Sequence, residues 1–544
     1  IKEKENIVNE KLNYSVRVMK KYLLNRILFS IFSLLVVTMA VMFLVYTCIN
    51  RNVIFQTDDA WNKKSNNDRA YYEYTQYQKY GYLNFVNYTS FLKEKYQAIY
   101  GDGYTEKDDY KADLRAIQKK DKYETNESVK EFKEKYKNYD IKWLEPVNYS
   151  DGTAKPGGKG YLIAINERNV FFRLVDYVKG FISFDTKNYV KDENLTERYV
   201  RFEKDPYGGP FAIVGSGTLH KYLLYFDGRF PFIHQNFINI NLGTSYTTYR
   251  GQEITTVMNK PAGSLKTPFK QQFPNQLGTD EYSETAIDFH SLRYNYGTLS
   301  ETDVKNYPDR YTVSDFHMEG LSILENSFVI GLIATIIAYM LGLPLGILMA
   351  RRKDKLADKI GNAYIIFIMA VPSLAYIFMF AAVGTSLFGL PYKFANANVK
   401  VLAYVLPTIS LALPQIGSLM KWMRRYMIDQ MNSDYVKFAR AEGLSEKEIY
   451  KIHISKNALI YLVHGIPASI LGCLTGAIIT ERVYAVPGVG NLLTVAINTH
   501  DNGVIVACTV FYTTLSIISV ILGDLLLAKY DPRISLSKEK GGGR

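Results

Sequence analysis

The sequence predicts an all-α polytopic membrane protein with six transmembrane helices and a large α+β domain inserted between the first and the second. Three observations carry that prediction. Six uncharged apolar runs of bilayer length occur, one near the start and five crowded after residue 320. No comparable run lies between residues 51 and 320. That middle block is electrically neutral, with 37 basic and 37 acidic residues, so the +12 of the 544-residue chain sits wholly outside it.

A bilayer core is about 30 Å thick and takes about 20 apolar residues as a helix, because backbone groups must pair internally there. The first run, Ile27–Ile49, follows Lys20, Lys21 and Arg26. It is longer than the ~7–15-residue core of a signal peptide, and Cys48-Ile49-Asn50-Arg51 makes a poor cleavage site, so it reads as a retained helix. The other five are Ser327–Ala350, Asn362–Gly384, Leu402–Met420, Ala458–Thr480 and Val504–Gly523, none with Lys, Arg, Asp or Glu. A soluble core helix is rarely apolar all round for so long.

Charge in the short loops predicts orientation. Arg351-Arg352-Lys353-Asp354-Lys355 follows the second run; Lys421, Arg424 and Arg425 follow the fourth; Lys529, Arg533 and Lys538 follow the sixth. The loops after the third and fifth runs carry only Lys393 and Lys400, then Glu481, Arg482 and Asp501. Both termini are therefore expected in the cytoplasm and residues 51–320 outside. The expected organisation is 1–50 (N-terminus and first helix), 51–320 (external domain), 321–530 (five-helix core with a cytoplasmic loop at 434–457) and 531–544 (cytoplasmic tail).

The external block opens on a hydrophilic stretch, Asp58 to Tyr139, which reads as solvated amphipathic helix around residues 128–136. After the turn at Gly157-Gly158-Lys159-Gly160 its texture turns β-like, as in Tyr161–Ile165 and Phe211–Val214. Residues 260–316 look like a looser return segment. The 44 tyrosines are expected to build an aromatic core and an interface belt rather than a ligand platform. Cys48, Cys473 and Cys508 lie outside the block, which excludes internal disulfides there and a secreted disulfide scaffold. Neutrality of the block also argues against a nucleic-acid surface. The seven histidines show no metal-ligand spacing, and no GxSxG occurs. Gly152–Gly160 looks superficially like a phosphate loop but breaks the GxxxxGK[ST] spacing. Neither a metal site nor an enzyme is expected.

The loop Asp434–His453 reads as helix, break, helix. Gly443 suits a helix C′ position with positive φ, and Ser445 with Glu448 forms a capping box that opens the second helix. That helix is expected to set Ile449, Ile452 and His453 on one side, away from Glu446, Lys447 and Lys451. A short amphipathic element of this kind suits a partner's groove.

Ala439-Arg440-Ala441-Glu442-Gly443-Leu444, followed by Lys456-Asn457-Ala458-Leu459, resembles the EAA loop of permease subunits of bacterial ABC importers, closest to the peptide-transporter branch. Glu481-Arg482-Val483-Tyr484-Ala485-Val486-Pro487-Gly488-Val489-Gly490 is similar to that branch's acidic-aromatic-Pro-Gly turn, and Asp531-Pro532-Arg533-Ile534 to its ending. Asn241-Leu242-Gly243-Thr244-Ser245 resembles the stretch before its second helix. The expanded block, with Tyr199–Pro206 and Gly215-Ser216-Gly217, is similar to the first permease subunit of streptococcal-type oligopeptide importers. Two departures stand out. Lys437-Phe438 replaces the general family's Glu-Ala, and residues 51–195 have no counterpart in short peptide permeases.

The resemblance implies a type I ABC importer permease fold in a bacterial plasma membrane. Its implied partners are a second permease subunit, two ATPase subunits, a lipid-anchored external peptide-binding protein and an oligopeptide substrate. ATP and magnesium would belong to the ATPase partners, with no cofactor on this chain. It further implies a coupling element of Ala439, Arg440, Ala441, Gly443, Leu444, Lys447, Ile449, Ile452 and His453. In it Gly443 bends the chain, Ile449 and Ile452 dock, and Arg440, Lys447 and Lys451 meet acids of the partner. Glu481, Tyr484, Pro487, Gly488 and Gly490 are candidates for an outer gate. His464, an ionisable group within the fifth run, is a candidate for the path. Asp524 is expected to pair with Lys529 or another cation near the interface. The competing class is a receptor with a ligand-binding ectodomain. It calls for an intracellular signalling domain, which residues 531–544 do not supply. A secondary transporter calls for internal repeats, and none is evident.

Overall fold

The computed structural model describes residues 2–530 except 50, 57, 188–189, 191, 193, 229–231, 262–268, 273–281, 286–287, 296, 298, 302–303, 305–308, 314–319 and 464. His464 and Asp531–Ile534 therefore lie outside the described residues.

Among the described residues, five helices are long and apolar enough to cross a membrane: Leu24–Cys48, Ile323–Arg351, Lys400–Met431, Ile466–Tyr484 and Asn502–Leu527. The third predicted run is different. It forms two helices, Leu356–Ala370 and Ser373–Phe388, bent by 112° at the break. Pro372 explains this: it has no N–H to donate, and its ring drives the preceding residue out of the helical region. Val371 accordingly has ψ 129°. The fifth run is also interrupted, into Ser455–Val463 and Ile466–Tyr484, with Pro467 in the first turn of the second piece, where its missing N–H costs nothing.

The helix Ile323–Arg351 starts at a capping box in which Ser322 and Glu325 satisfy each other's backbone N–H groups. Val405–Met431 runs parallel to it. The Tyr404 hydroxyl donates to Asn326 Oδ1 at 2.5 Å at one end. Further along, Gly342 and Gly346 press on Leu419 and Met423. A Cβ at either glycine would stand 2.8 Å from a partner Cβ, so this small-xxx-small pair sets how closely the two helices approach. Ile466–Tyr484 returns antiparallel, with Tyr339 beside Ser469 at 3.2 Å and Ser327 bonded to Glu481 at 2.6 Å. The first and last long helices pair along their length. Met42 is buried with Val504 and Cys508 near one end, and Arg26 meets Asp524 at 3.4 Å near the other. Asp524 thus finds its cation on a different helix, because the antiparallel register brings Arg26 to its level.

The described residues between the helices Leu24–Cys48 and Ile323–Arg351 form the insert. Its central strand, Tyr161–Glu167, lies between Leu83–Asn87 and Asp140–Leu144, antiparallel to both. Leu162–Ile165 are buried on both faces, which matches their unbroken apolar run. The helix Glu127–Lys135 appears where the amphipathic pattern predicts it, with Val129 and Phe132 buried. Strands 83–87 and 140–144 fall within or beside the hydrophilic stretch 58–139, in which the sequence predicts no strand. Their partners are remote in sequence, which local periodicity does not report. A second sheet joins Val200–Glu203, Ala212–Gly215, Tyr222–Phe226 and Ile233–Gln235 in that order. Many tyrosines build the core of the insert, as where Tyr71 stacks on Tyr161 at 4.4 Å and Tyr123 on Trp143 at 4.0 Å.

Candidate functional site

The loop at the end of the bundle opposite the insert has the local form its sequence predicts. A helix Asp434–Ala441 ends at Glu442, and Gly443 takes φ +83°, a conformation that costs a glycine little. The Ser445–Glu448 capping box then opens the next turn. Hydrogen bonds from the Ser445 hydroxyl and backbone N–H hold the Glu448 carboxyl below the ordinary glutamate range. Arg440, Ala441, Gly443, Leu444 and Lys447 are exposed in one continuous stretch. Arg440 already has an acid within the loop, Glu446 at 2.8 Å. His453 is half-buried, and its carbonyl accepts from the Tyr435 hydroxyl at 3.4 Å.

The expected side-by-side placement of Ile449 and Ile452 is corrected by the structure. Residues Ile449–Ile454 form a π-helical turn. In an α-helix, residues three apart lie ~60° apart around the axis, whereas in a wider π-turn the fifth residue comes back into line. Ile449 and Ile454 therefore face inward together and are each 0% exposed, in a cluster with Met423, Met427, Val436 and Ala439. Ile452 is turned out and is 53% exposed. The loop thus has an anchoring face (Ala439, Ile449, Ile454) and a free face (Phe438, Leu444, Ile452).

At the insert end of the bundle, Glu481 is completely buried. One carboxylate oxygen accepts from Ser327 Oγ at 2.6 Å and the other from the Asn491 N–H at 3.1 Å. Ser327 Oγ in turn accepts from the Val489 N–H at 2.9 Å, and Asn326 donates to the Pro487 carbonyl at 3.1 Å. Gly488 lies against the carboxylate and Gly490 against Ile478 Cα so closely that no side chain fits at either position. Tyr484 is buried, its hydroxyl 2.9 Å from Ser410 Oγ and donating to the Ile377 carbonyl at 3.3 Å. The structure therefore brings Glu481, Pro487, Gly488 and Gly490 together in one clamped turn, with Tyr484 pinned nearby. Ser327, Asn326 and Ser410 were not singled out from sequence. Their signal was an uncharged polar side chain at or within an apolar run.

A second buried acid was also missed. Asp501 is 0% exposed and accepts from Ser245 Oγ (2.6 Å) and from the N–H groups of Tyr246 (2.9 Å), Thr247 (3.2 Å) and Thr248 (3.0 Å). It thereby ties the insert to the start of the last helix. Gly503 makes the approach possible, since a Cβ there would lie 2.1 Å from the Thr244 carbonyl oxygen.

The third acid, Asp358, is held on both oxygens by Arg424 at 2.6 and 2.7 Å. It clips the first half of the kinked pair to the helix Val405–Met431. Beside it opens a cleft of about 670 Å³ between apolar Ile365, Ile366 and Met369 and cationic Lys421 and Arg425. Arg424→Ala is expected to cost about 3 kcal/mol, because it leaves a buried carboxylate without its counter-charge. The readout is a lower thermal midpoint in lipid nanodiscs. The double variant Asp358→Leu/Arg424→Met is expected to recover part of the loss, and an unchanged midpoint for Arg424→Ala alone would show that the pair holds nothing.

The family described as binding-protein-dependent transport system inner membrane component matches residues 342–536. Over 532 residues the chain is 35% identical to the oligopeptide transport system permease protein AmiC of Streptococcus pneumoniae serotype 4, spanning 96% of this chain and 100% of that one. It is 30% identical over 230 residues to the dipeptide transport system permease protein DppB of Bacillus subtilis, spanning 42% of this chain and 72% of that one. For DppB of Lactococcus lactis subsp. cremoris the identity is 32% over 220 residues, spanning 39% and 70%. Among solved structures, the inward-facing MetNI methionine ABC transporter covers 38% of this chain and 94% of its own at a TM-score of 0.31 and 13% identity, a likeness too slight to fix any element. The match to the pneumococcal permease runs from end to end of that protein, through insert and helical bundle alike. The chain belongs to the family of binding-protein-dependent transport system inner membrane components.

Proposed function

We propose that this chain is one of two related permease subunits in an ATP-driven importer of oligopeptides, and that it supplies half of the path across a bacterial plasma membrane. The observation that carries the reading is the 35% identity along 532 residues with a protein named as an oligopeptide permease. Six spans, with the kinked pair counted as one, form a type I permease core within residues 321–530 together with the first helix. The basic loops lie in the cytoplasm with both termini, and residues 51–320 face outward. A lipid-anchored peptide-binding protein delivers substrate on that side. Two ATPase subunits bind ATP and magnesium on the other. The clamped turn at Glu481 borders the outer gate, with the carboxylate as its pin.

The coupling element is the free face of the loop. Leu444 and Ile452 insert into the ATPase subunit, flanked by Lys447 and Lys451, while Ala439 and Ile449 carry its motion into the bundle. A rigid-body switch of the helices then alternates access to the path. The test is crosslinking in the assembled complex, with the native cysteines replaced. Leu444→Cys and Ile452→Cys are expected to join the co-purified ATPase subunit, and Ile449→Cys to stay unreactive. Leu444→Asp is expected to lower peptide uptake about tenfold, the effect of losing ~1.4 kcal/mol at an interface anchor. An ATPase that co-purifies yet reacts at neither 444 nor 452 would overturn the coupling assignment.

A further inference from the structure

We propose that the helix Val170–Phe181 seats the insert in the lipid leaflet, lying within the membrane interface beside the first span. Three observations place it there. First, the helix packs on the transmembrane bundle below its rim. Leu174 is buried in one cluster with Met42 of the first span and with Val504 and Cys508 of the last. At ~1.5 Å per residue, Met42 lies about 9 Å below Cys48, where the first span ends, and Cys508 lies about 9 Å below Asn502, where the last begins. Val504 of the same cluster lies only about 3 Å below Asn502, so the cluster takes in roughly the first 10 Å of both spans, a range that overlaps the ~5–10 Å to which amphipathic interfacial helices sink their apolar face. Arg173 fixes the roll of the helix, its guanidinium held 3.7 Å from the Tyr46 ring and 4.1 Å from the Tyr82 ring.

Second, the apolar arc of this helix is wider than the bundle uses. Leu174, Tyr177 and Phe181 turn toward the bundle, and Asp176 and Lys179 turn toward the opposite arc. Phe171 and Val178, beside the bundle-facing stripe, are left exposed at 54% and 44%. Third, the patch continues into the next element. The strand Ile182–Phe184 pairs with Ile238–Ile240, and directly opposed Ile182 and Ile240 both point outward.

Leaving such side chains in water forfeits ~1.5–3 kcal/mol for each one that could be buried, and soluble surfaces seldom gather them. At this depth the solvent is hydrocarbon and headgroup rather than water. On the first span, next in sequence to Met42 of the shared cluster, Phe43 and Leu44 are exposed in the same way. The occupant is therefore the bilayer. The inference is independent of what the protein transports, since it concerns only how the insert is braced against the membrane.

The experiment uses the assembled complex in nanodiscs, with the native cysteines replaced and a nitroxide carried at Phe171→Cys or Val178→Cys. Lys130→Cys, on the exposed side of the helix Glu127–Lys135, serves as the aqueous reference. Power saturation is measured with oxygen, which concentrates in lipid, and with a water-soluble nickel chelate. The expected result is high oxygen and low nickel accessibility at 171 and 178, the reverse of position 130. Nickel accessibility matching that at position 130 would place the patch in water and overturn the proposal. Low accessibility to both reagents would show a protein cover, from the insert or a neighbouring subunit, and would overturn it equally. Val178→Cys guards against a local disturbance at the start of the helix.

Discussion

Asp501→Ala is expected to detach the insert from the helical bundle and to be among the most damaging single substitutions in the chain. The carboxylate has no access to solvent, and both of its oxygens accept from donors of the insert. Removing it leaves the N–H of Tyr246 and the hydroxyl of Ser245 unpaired in the interior, and the N–H groups of half-buried Thr247 and Thr248 without their acceptor. An unsatisfied buried donor costs ~1–3 kcal/mol, so the two buried ones alone outweigh the ~1 kcal/mol typical of a point substitution. Asp501→Asn keeps the shape but turns an amide NH₂ toward N–H groups, and is expected to recover only part of the loss. The checks are the thermal midpoint in nanodiscs and protease cleavage near residues 245–250. Wild-type resistance in Asp501→Ala would mean that other contacts at the junction suffice.

Gly490→Ala is expected to abolish uptake by forcing apart the turn that Glu481 clamps. The added Cβ would stand 2.5 Å from Ile478 Cα and 3.0 Å from a Glu481 carboxylate oxygen. The first obstacle is backbone in the middle of a packed helix, so no rotamer change relieves the clash. Overpacking of this kind costs ~1–3 kcal/mol. Here it also pulls Asn491 and Val489 away from the Glu481–Ser327 pair, breaking bonds inside the bundle. A methyl at Gly472, in the helix that carries Ile478, meets nothing within 4 Å, so Gly472→Ala is the control and is expected to retain uptake. Equal uptake by the two variants would show that the tight fit at 490 is not required.

Local chemistry was legible in this chain wherever it acts over a few residues. Gly443 and the Ser445–Glu448 box stand in the predicted conformations because φ preference and capping are decided by immediate neighbours. The same holds for the amphipathic helix at 127–135. Hydropathy located the apolar runs but passed over Pro372, since an average over a window ignores a missing N–H. The π-turn at 449–454 was invisible for a different reason. Nothing in Ile-Tyr-Lys-Ile-His-Ile forbids an ordinary α-helix, and the wider turn brings both Ile449 and Ile454 into one buried cluster.

The amino-acid order alone determined that the chain carries long uncharged helices, a neutral insert between the first two, and a Gly-broken loop rich in exposed charge. Tertiary structure alone decided the pairings: Asp501 with Ser245, Glu481 with Ser327, Asp358 with Arg424, and Arg26 with Asp524. Each joins residues far apart in the chain, so each depends on the register in which helices pack. That register comes from close approaches such as Gly342 on Leu419, which are a property of two surfaces meeting rather than of either segment. A buried acid is tolerable only where such a meeting supplies its donors, and for that reason Asp501 and Asp358 could not be picked out beforehand, while Glu481 was marked only by its motif.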